Sequence, residues 1–241
     1  MHEIRLWCKM ITVIGMIYKA PTYLDFMMKG IQKLNTNYLV IANDPSTTII
    51  DKLNADNIRH IIYRDRTPND YYMNRIYRAW NFGGRRAEGD ILIFINSDMA
   101  FSPNWLENLL AHLDRSTIPC SRLIESGKLL SGTHAISKDF GRSPDDFNET
   151  NFINYSCSIK KNEAHAGGLF MPCAFYKDDF VNSGGYPEGN IYSGGIGAFG
   201  TKFLQSGDDY FFNNNPVMKV KKHITVFSSI VYHIQEGEKD V

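Results

Sequence analysis

"ILIFINSDMAF" (residues 91–101) decides the fold. Five apolar residues, Ile91 to Ile95, read as a strand buried on both faces. Asn96-Ser97-Asp98 then breaks the run before Met99 resumes it. A carboxylate beside a core is costly unless something pairs with it or coordinates it. The rest of the chain must supply a partner for Asp98.

Upstream, "MITVIGMIY" (10–18), "NYLVIAN" (37–43) and "IRHIIYR" (58–64) are three further short apolar strands. Helical patterns fill the intervals at 21–34, where Pro21 suits the first turn, at 45–53, and from about 69 to 87. Buried strands alternating with helices predict an α/β fold, a mostly parallel central sheet flanked by helices. Downstream, Ser102 and Pro103 read as the N-cap and first residue of a helix over "NWLENLLAHL". Its Leu106, Leu109, Leu110 and Leu113 form one apolar face. From 116 to 165 the periodicity fades into what reads as short strands and long loops. Order returns as a strand, short helix and turn over 168–190, a helix start at "GDDYFFNNN" (207–215), and a closing strand "HITVFSSIVYH" (223–233).

With 241 residues, 43% of them hydrophobic, the chain can bury one sizeable core, so disorder is excluded and a single domain is expected. Its 26 basic and 26 acidic side chains cancel, and nothing in that balance asks for nucleic acid or an anionic membrane. Cys8, Cys120, Cys157 and Cys173 are too dispersed for a zinc motif and read as buried free thiols. Lys9 and Lys19 interrupt the N-terminal apolar run, which also lacks a small-residue cleavage site. A soluble cytoplasmic protein without a signal peptide or transmembrane segment is expected.

Open parallel sheets bind ligands at the carboxyl ends of their strands. Tyr18 and Lys19 follow the first strand, Asn43 and Asp44 the second, and Asp98 the fourth. Asp208 and Asp209 stand at a helix start, where capping is the plainer role for adjacent carboxylates. Arg75 and Arg78 share a helix face, which solvation alone would explain. "GIGAFG" (195–200) satisfies the G-x-G-x-x-G dinucleotide pattern, but no strand precedes it and it lies far from the first βαβ unit. It reads instead as a glycine-rich loop.

Four motifs, in order, resemble glycosyltransferase family 2. "LVIANDPSTT" (39–48) is similar to the family's V-x-D-D-G-S-T-D turn. "RAWNFGGRRAEGDILIFINSDMAF" (78–101) is similar to its A-R-N-x-G segment running into D-x-D. "GGYPE" (184–188) resembles G-G-F-D-E, and "SGDDYFF" (206–212) resembles G-E-D. The resemblance implies a GT-A fold, with residues 10–101 as the nucleotide-sugar-binding half and 102–241 as the acceptor-binding half. It implies a metal-dependent, inverting transferase using Mn²⁺ or Mg²⁺ and a nucleotide-diphosphate sugar, with UDP favoured. The acceptor, whether glycan, lipid-linked or protein, is left open.

By the same resemblance, Tyr18, Lys19, Asp44, Arg78, Asn96 and Ser97 bind nucleotide, and Asp98 and His233 hold the metal. Asp209 is the general base and Asp208 its supporting neighbour. Two positions depart from the family: Asn96 replaces the first carboxylate of D-x-D, and Trp80 replaces the arginine of A-R-N. Asn96 can still hydrogen-bond a hydroxyl, but it carries no charge. The missing carboxylate makes a degenerate sugar-nucleotide- or glycan-binding module the alternative. A sugar nucleotidylyltransferase fits less well, because no basic glycine-rich loop follows the first strand.

Overall fold

The computed structural model describes residues 10–65, 72–127, 130–168, 170–189, 191–192, 195–196 and 207–235. The elements of the first half are β1 (Ile11–Ile17), α1 (Pro21–Ile31), β2 (Asn37–Asn43), α2 (Thr47–Ala55), β3 (His60–Tyr63), α3 (Tyr72–Arg86), β4 (Ile91–Asn96) and β5 (Met99–Phe101). Then come α4 (Trp105–Leu110), β6 (Thr117–Glu125), β7 (Ile136–Ser137), α5 (Glu149–Ile159), β8 (Ala164–Ala166) and β9 (Ala174–Tyr176). The last are α6 (Lys177–Asn182), β10 (Ile191–Tyr192), β11 (Gly195–Ile196), α7 (Gly207–Asn214) and β12 (Lys222–His233).

The first sheet has the order β3-β2-β1-β4-β9, parallel except for β9, which runs antiparallel to β4. Its strands are apolar throughout because both faces are covered: Val13, Ile14, Val40, Ile41 and Ile91 to Ile95 are all fully buried. The chain moves from β1 outward through β2 and β3, then returns to the other side of β1 as β4. In open sheets of this kind such a reversal marks the place, beside the carboxyl ends of β1 and β4, where ligands bind. Helix α3 lies close over the sheet through Gly83 and Gly84. A Cβ on Gly83 would sit 2.2 Å from the Ile41 side chain, and one on Gly84 would sit 2.5 Å from Phe180.

The second sheet runs β5-β12-β6-β7, with β8 also on β12. Strand β4 belongs to the first sheet and β5 to the second, so the Asn96-Ser97-Asp98 turn lies on the seam between them. Strand β12 pairs in parallel with β6 and antiparallel with β5, and both Met99 and Glu125 stand opposite His233.

The expected elements of the first half appear with boundaries shifted by a few residues. Ser102 does not cap α4: the N-cap is Asn104, in the left-handed region at φ 59°, and Ser102 contributes only its carbonyl to Trp105 N–H. The segment 116–165 is more ordered than its pattern suggests. Strand β6 accommodates Pro119 because β7 pairs only with Ile124 and Glu125. Helix α5 buries only Phe152 and Ser156, so its apolar periodicity is faint. Its start is nonetheless signalled by Asn148, whose side chain accepts from Asn151 N–H at 3.0 Å. Cys120 and Cys173 are buried free thiols, whereas Cys157 is exposed on α5; Cys8 lies outside the described residues. Among the described residues no helix is long and apolar enough to cross a membrane.

Candidate active site

Asp98 is held at the seam by its own backbone and by its side chain. Its carbonyl accepts from Ile234 N–H at 3.0 Å, and its Oδ2 lies 3.3 Å from His233 Nε2. Asp98 is only 8% exposed, so the charge raised by the sequence does have a partner. His233 Nδ1 in turn stands 3.0 Å from Oε1 of Glu125, a residue that is 0% exposed. Burial pushes the His233 pKa down, but Asp98 and Glu125 more than reverse this and raise it to about 10. The Glu125 carboxyl is held below its usual range against its own burial by His233 and Ser131.

Glu125 was not anticipated from sequence. It lies in the segment that reads as loops, and only the β6–β12 register reveals it as a neighbour of His233.

A second cluster surrounds the end of β2. Asp44 takes a left-handed conformation at φ 48°, and its Oδ1 accepts from Asp65 N–H at 3.1 Å. The carboxylate of Asp65 faces Arg78, with Nε at 2.9 Å and Nη2 at 2.5 Å from Oδ2. Arg78 Nη1 also reaches the Glu188 carbonyl at 3.4 Å. This arginine therefore lies in a buried ion pair with Asp65 and is not displayed toward solvent. Tyr18 and Lys19 follow β1, half-buried and exposed respectively, with Lys19 Nζ 4.7 Å from the Tyr18 ring. Asn96 is half-buried in register with Met16 of β1, and Ser97 is buried beside Asp98. Asn43, beside Asp44, has a buried Oδ1 with no hydrogen-bond partner among the described residues.

Two motifs widely separated in sequence interlock through Asn81. Its Oδ1 accepts from Tyr186 N–H at 2.7 Å, and its Nδ2 donates to the Tyr186 carbonyl and to Glu188 Oε1, both at 2.8 Å. Gly185, at φ 85°, permits this approach: a Cβ there would lie 2.3 Å from Asn81 Oδ1.

The third cluster is the start of α7. Tyr77 Oη donates to Asp208 Oδ1 and accepts from Asp208 N–H, both at 3.2 Å. Asp208 Oδ1 also accepts from Asp209 N–H at 3.0 Å, while Asp209 itself is exposed. Burial, and secondarily the charge of Asp209, raise the Asp208 pKa to about 6. The Asp209 carboxyl is also raised, by partial loss of water. Repulsion within the pair thus weighs on Asp208. The glycine-rich stretch 194–200 lies outside the described residues except for Gly195 and Ile196.

These values fix a sign. The folded protein holds a proton on Asp208 up to about pH 6, whereas the unfolded chain releases it near the model-peptide value of 3.8. Stability therefore falls as pH rises from about 4 to about 6, and the loss persists at neutral pH. Asp208→Asn removes it. The variant is expected to melt a few degrees above wild type at pH 7.5, at about 2–4 °C per kcal/mol for a domain of this size. At pH 4 the two should nearly coincide. Thermal melts at both values check this, and a lower melting temperature at pH 7.5 would count against it.

The sequence pattern of glycosyl transferase family 2 matches residues 16–166, more than half of the chain. The chain belongs to glycosyl transferase family 2. Its fold is that of the GT-A transferases. A mannosyltransferase from Pyrobaculum calidifontis, solved in complex with GDP-Man and Mn²⁺, is 14% identical with a TM-score of 0.57. That match covers 94% of this chain and 57% of the other. Residues 1–349 of S. aureus TarS, solved in complex with UDP, are 12% identical with a TM-score of 0.55, over 92% of this chain and 60% of that one. This family 2 chain thus spans about three-fifths of the length of these relatives in structure. No curated protein sequence matches it.

Proposed function

We propose that this family 2 chain is a metal-assisted, inverting glycosyltransferase. It would move a sugar from a nucleoside-diphosphate sugar to an acceptor hydroxyl. The observation that carries this reading is the Asp98–His233 pair, set on the seam beyond β4, where the first sheet reverses its strand order. Support comes from the family match and from GT-A structures that bind GDP-Man with Mn²⁺, or UDP.

The pair suits a divalent ion. Two donors about 2.1 Å from an octahedral centre lie about 3 Å apart, and Asp98 Oδ2 and His233 Nε2 are separated by 3.3 Å. Among the described residues there is no group of three or more metal-ligating side chains, so the donor diphosphate would complete the shell. A divalent cation bound there, Mn²⁺ or Mg²⁺, would neutralise charge on the departing diphosphate.

The chain's own residues would do the rest. Asp44, Tyr18 and Lys19 would hold the base, Asn96 and Ser97 the ribose, and Arg78 would act by fixing Asp65 and, through it, Asp44. Asp209 would take the proton from the acceptor hydroxyl as that oxygen bonds to the anomeric carbon. The bond from that carbon to the phosphate oxygen breaks as this happens, and the nucleoside diphosphate leaves with the electron pair. Asp208, anchored by Tyr77, would fix the start of α7 on which Asp209 stands.

Asp44→Ala is expected to weaken nucleoside-diphosphate binding by about 1–3 kcal/mol, the cost of a lost buried hydrogen bond. Calorimetry with UDP and GDP measures it, and unchanged affinity for both would remove Asp44 from the site. The reading as a whole is tested by melting the protein with a panel of nucleotide sugars and Mn²⁺, because a ligand bound only to the folded state raises the melting temperature. At least one UDP- or GDP-sugar should do so, and no response to any member would argue against a donor site.

A further inference from the structure

We infer that Glu125 is a positioning residue that fixes the tautomer and direction of His233, leaving Nε2 turned toward Asp98 as a cation donor. This rests on the reading of Asp98 and His233 as an ion site and extends it to a residue that touches neither ion nor substrate. The parallel register of β6 and β12 sets Glu125 directly beside His233. Its carboxylate is fully buried and has four donors around it. They are His233 Nδ1 at 3.0 Å, Ser131 N–H at 2.6 Å, Ser131 Oγ at 2.5 Å and Gln235 Nε2 at 2.9 Å.

An ionised carboxylate can only accept, so the ring nitrogen facing it must carry a hydrogen. A cation entering the site must displace the Nε2 proton of the imidazolium, and the ring that remains keeps its hydrogen on Nδ1 with the lone pair on Nε2, the atom 3.3 Å from Asp98 Oδ2. Ser131 and Gln235 keep the carboxylate from rotating away. A fully buried carboxylate is unfavourable without such partners. The arrangement is that of a histidine ligand whose second nitrogen is held by an outer carboxylate, a contact whose loss typically weakens metal affinity about 10–100-fold.

The test is electron paramagnetic resonance of free Mn²⁺, titrated into the protein with saturating UDP and, in parallel, GDP. Wild type should remove the free-ion signal. Glu125→Gln, which keeps the shape and loses the charge, should bind Mn²⁺ about 10–100-fold more weakly. Its metal-free nucleotide affinity should stay unchanged, a combination that a purely structural role would not produce. Ser131→Ala alters an exposed loop residue, so the fold survives even if Glu125→Gln misfolds; it should weaken Mn²⁺ several-fold. Nitrogen-15 spectra of the wild-type imidazole with Mg²⁺ and nucleotide should show the hydrogen on Nδ1. Wild-type Mn²⁺ affinity in both variants, or a hydrogen on Nε2, overturns the role of Glu125 alone. Absence of Mn²⁺ binding by wild type with either nucleotide overturns the ion site as well.

Discussion

Asp209→Asn should abolish sugar transfer while leaving the fold and donor affinity intact. A positioned general base contributes about 10²–10⁴-fold to a step in which an attacking hydroxyl loses its proton, and the amide cannot accept that proton. The two carboxylates at the start of α7 have different surroundings. Asp208 is tied to Tyr77 and to the Asp209 backbone, whereas Asp209 is exposed. Asp209 is therefore the carboxylate proposed to meet the acceptor, and its raised pKa would bring its basicity closer to that useful in neutral solution. Transfer rates and nucleotide titrations on the same preparation check this. Near-full activity in the variant, or a product that keeps the donor's anomeric configuration, would show the base assignment to be wrong.

The double substitution Asp98→Ala with His233→Ala should eliminate metal-dependent donor binding and reduce transfer to background. EDTA should do the same to wild type reversibly. With two side-chain donors the ion is expected to bind tightly only together with nucleotide, so Mn²⁺ and nucleoside diphosphate should each strengthen the other's binding. Calorimetry of each ligand with and without the other measures that coupling. Full activity in EDTA, or in the double variant, would remove the ion from the reaction.

The fold and the positions of several candidate residues were legible in the sequence, for identifiable reasons. The strands of the first sheet are continuous apolar runs because both faces are buried, and such runs stand out between helical patterns. The strand ends were therefore visible, and with them Tyr18, Asp44 and Asp98. His233 stands out because it ends an apolar strand, and the family resemblance implies the metal role proposed for it.

What could not be read depends on pairing between distant segments. Glu125 joins His233 only through the β6–β12 register, and Arg78 is drawn into a buried ion pair by Asp65, thirteen positions earlier in the chain. Helix α5 was hidden because it buries one large side chain, Phe152, and so leaves little periodicity. The environments of Asp208 and Asp209 diverge through Tyr77 of α3, a contact that the adjacent pair itself does not announce.

Release of nucleoside diphosphate tests metal-assisted transfer from a nucleotide sugar most directly. UDP- and GDP-sugars would be incubated with the protein and Mn²⁺, before and after EDTA, with the Asp98→Ala, His233→Ala double variant alongside. Wild type should release diphosphate from at least one donor by slow transfer to water, stop in EDTA and resume on addition of Mn²⁺, while the double variant stays silent. A protein that binds these donors tightly yet never releases diphosphate, or that releases it equally well in EDTA, would contradict the account.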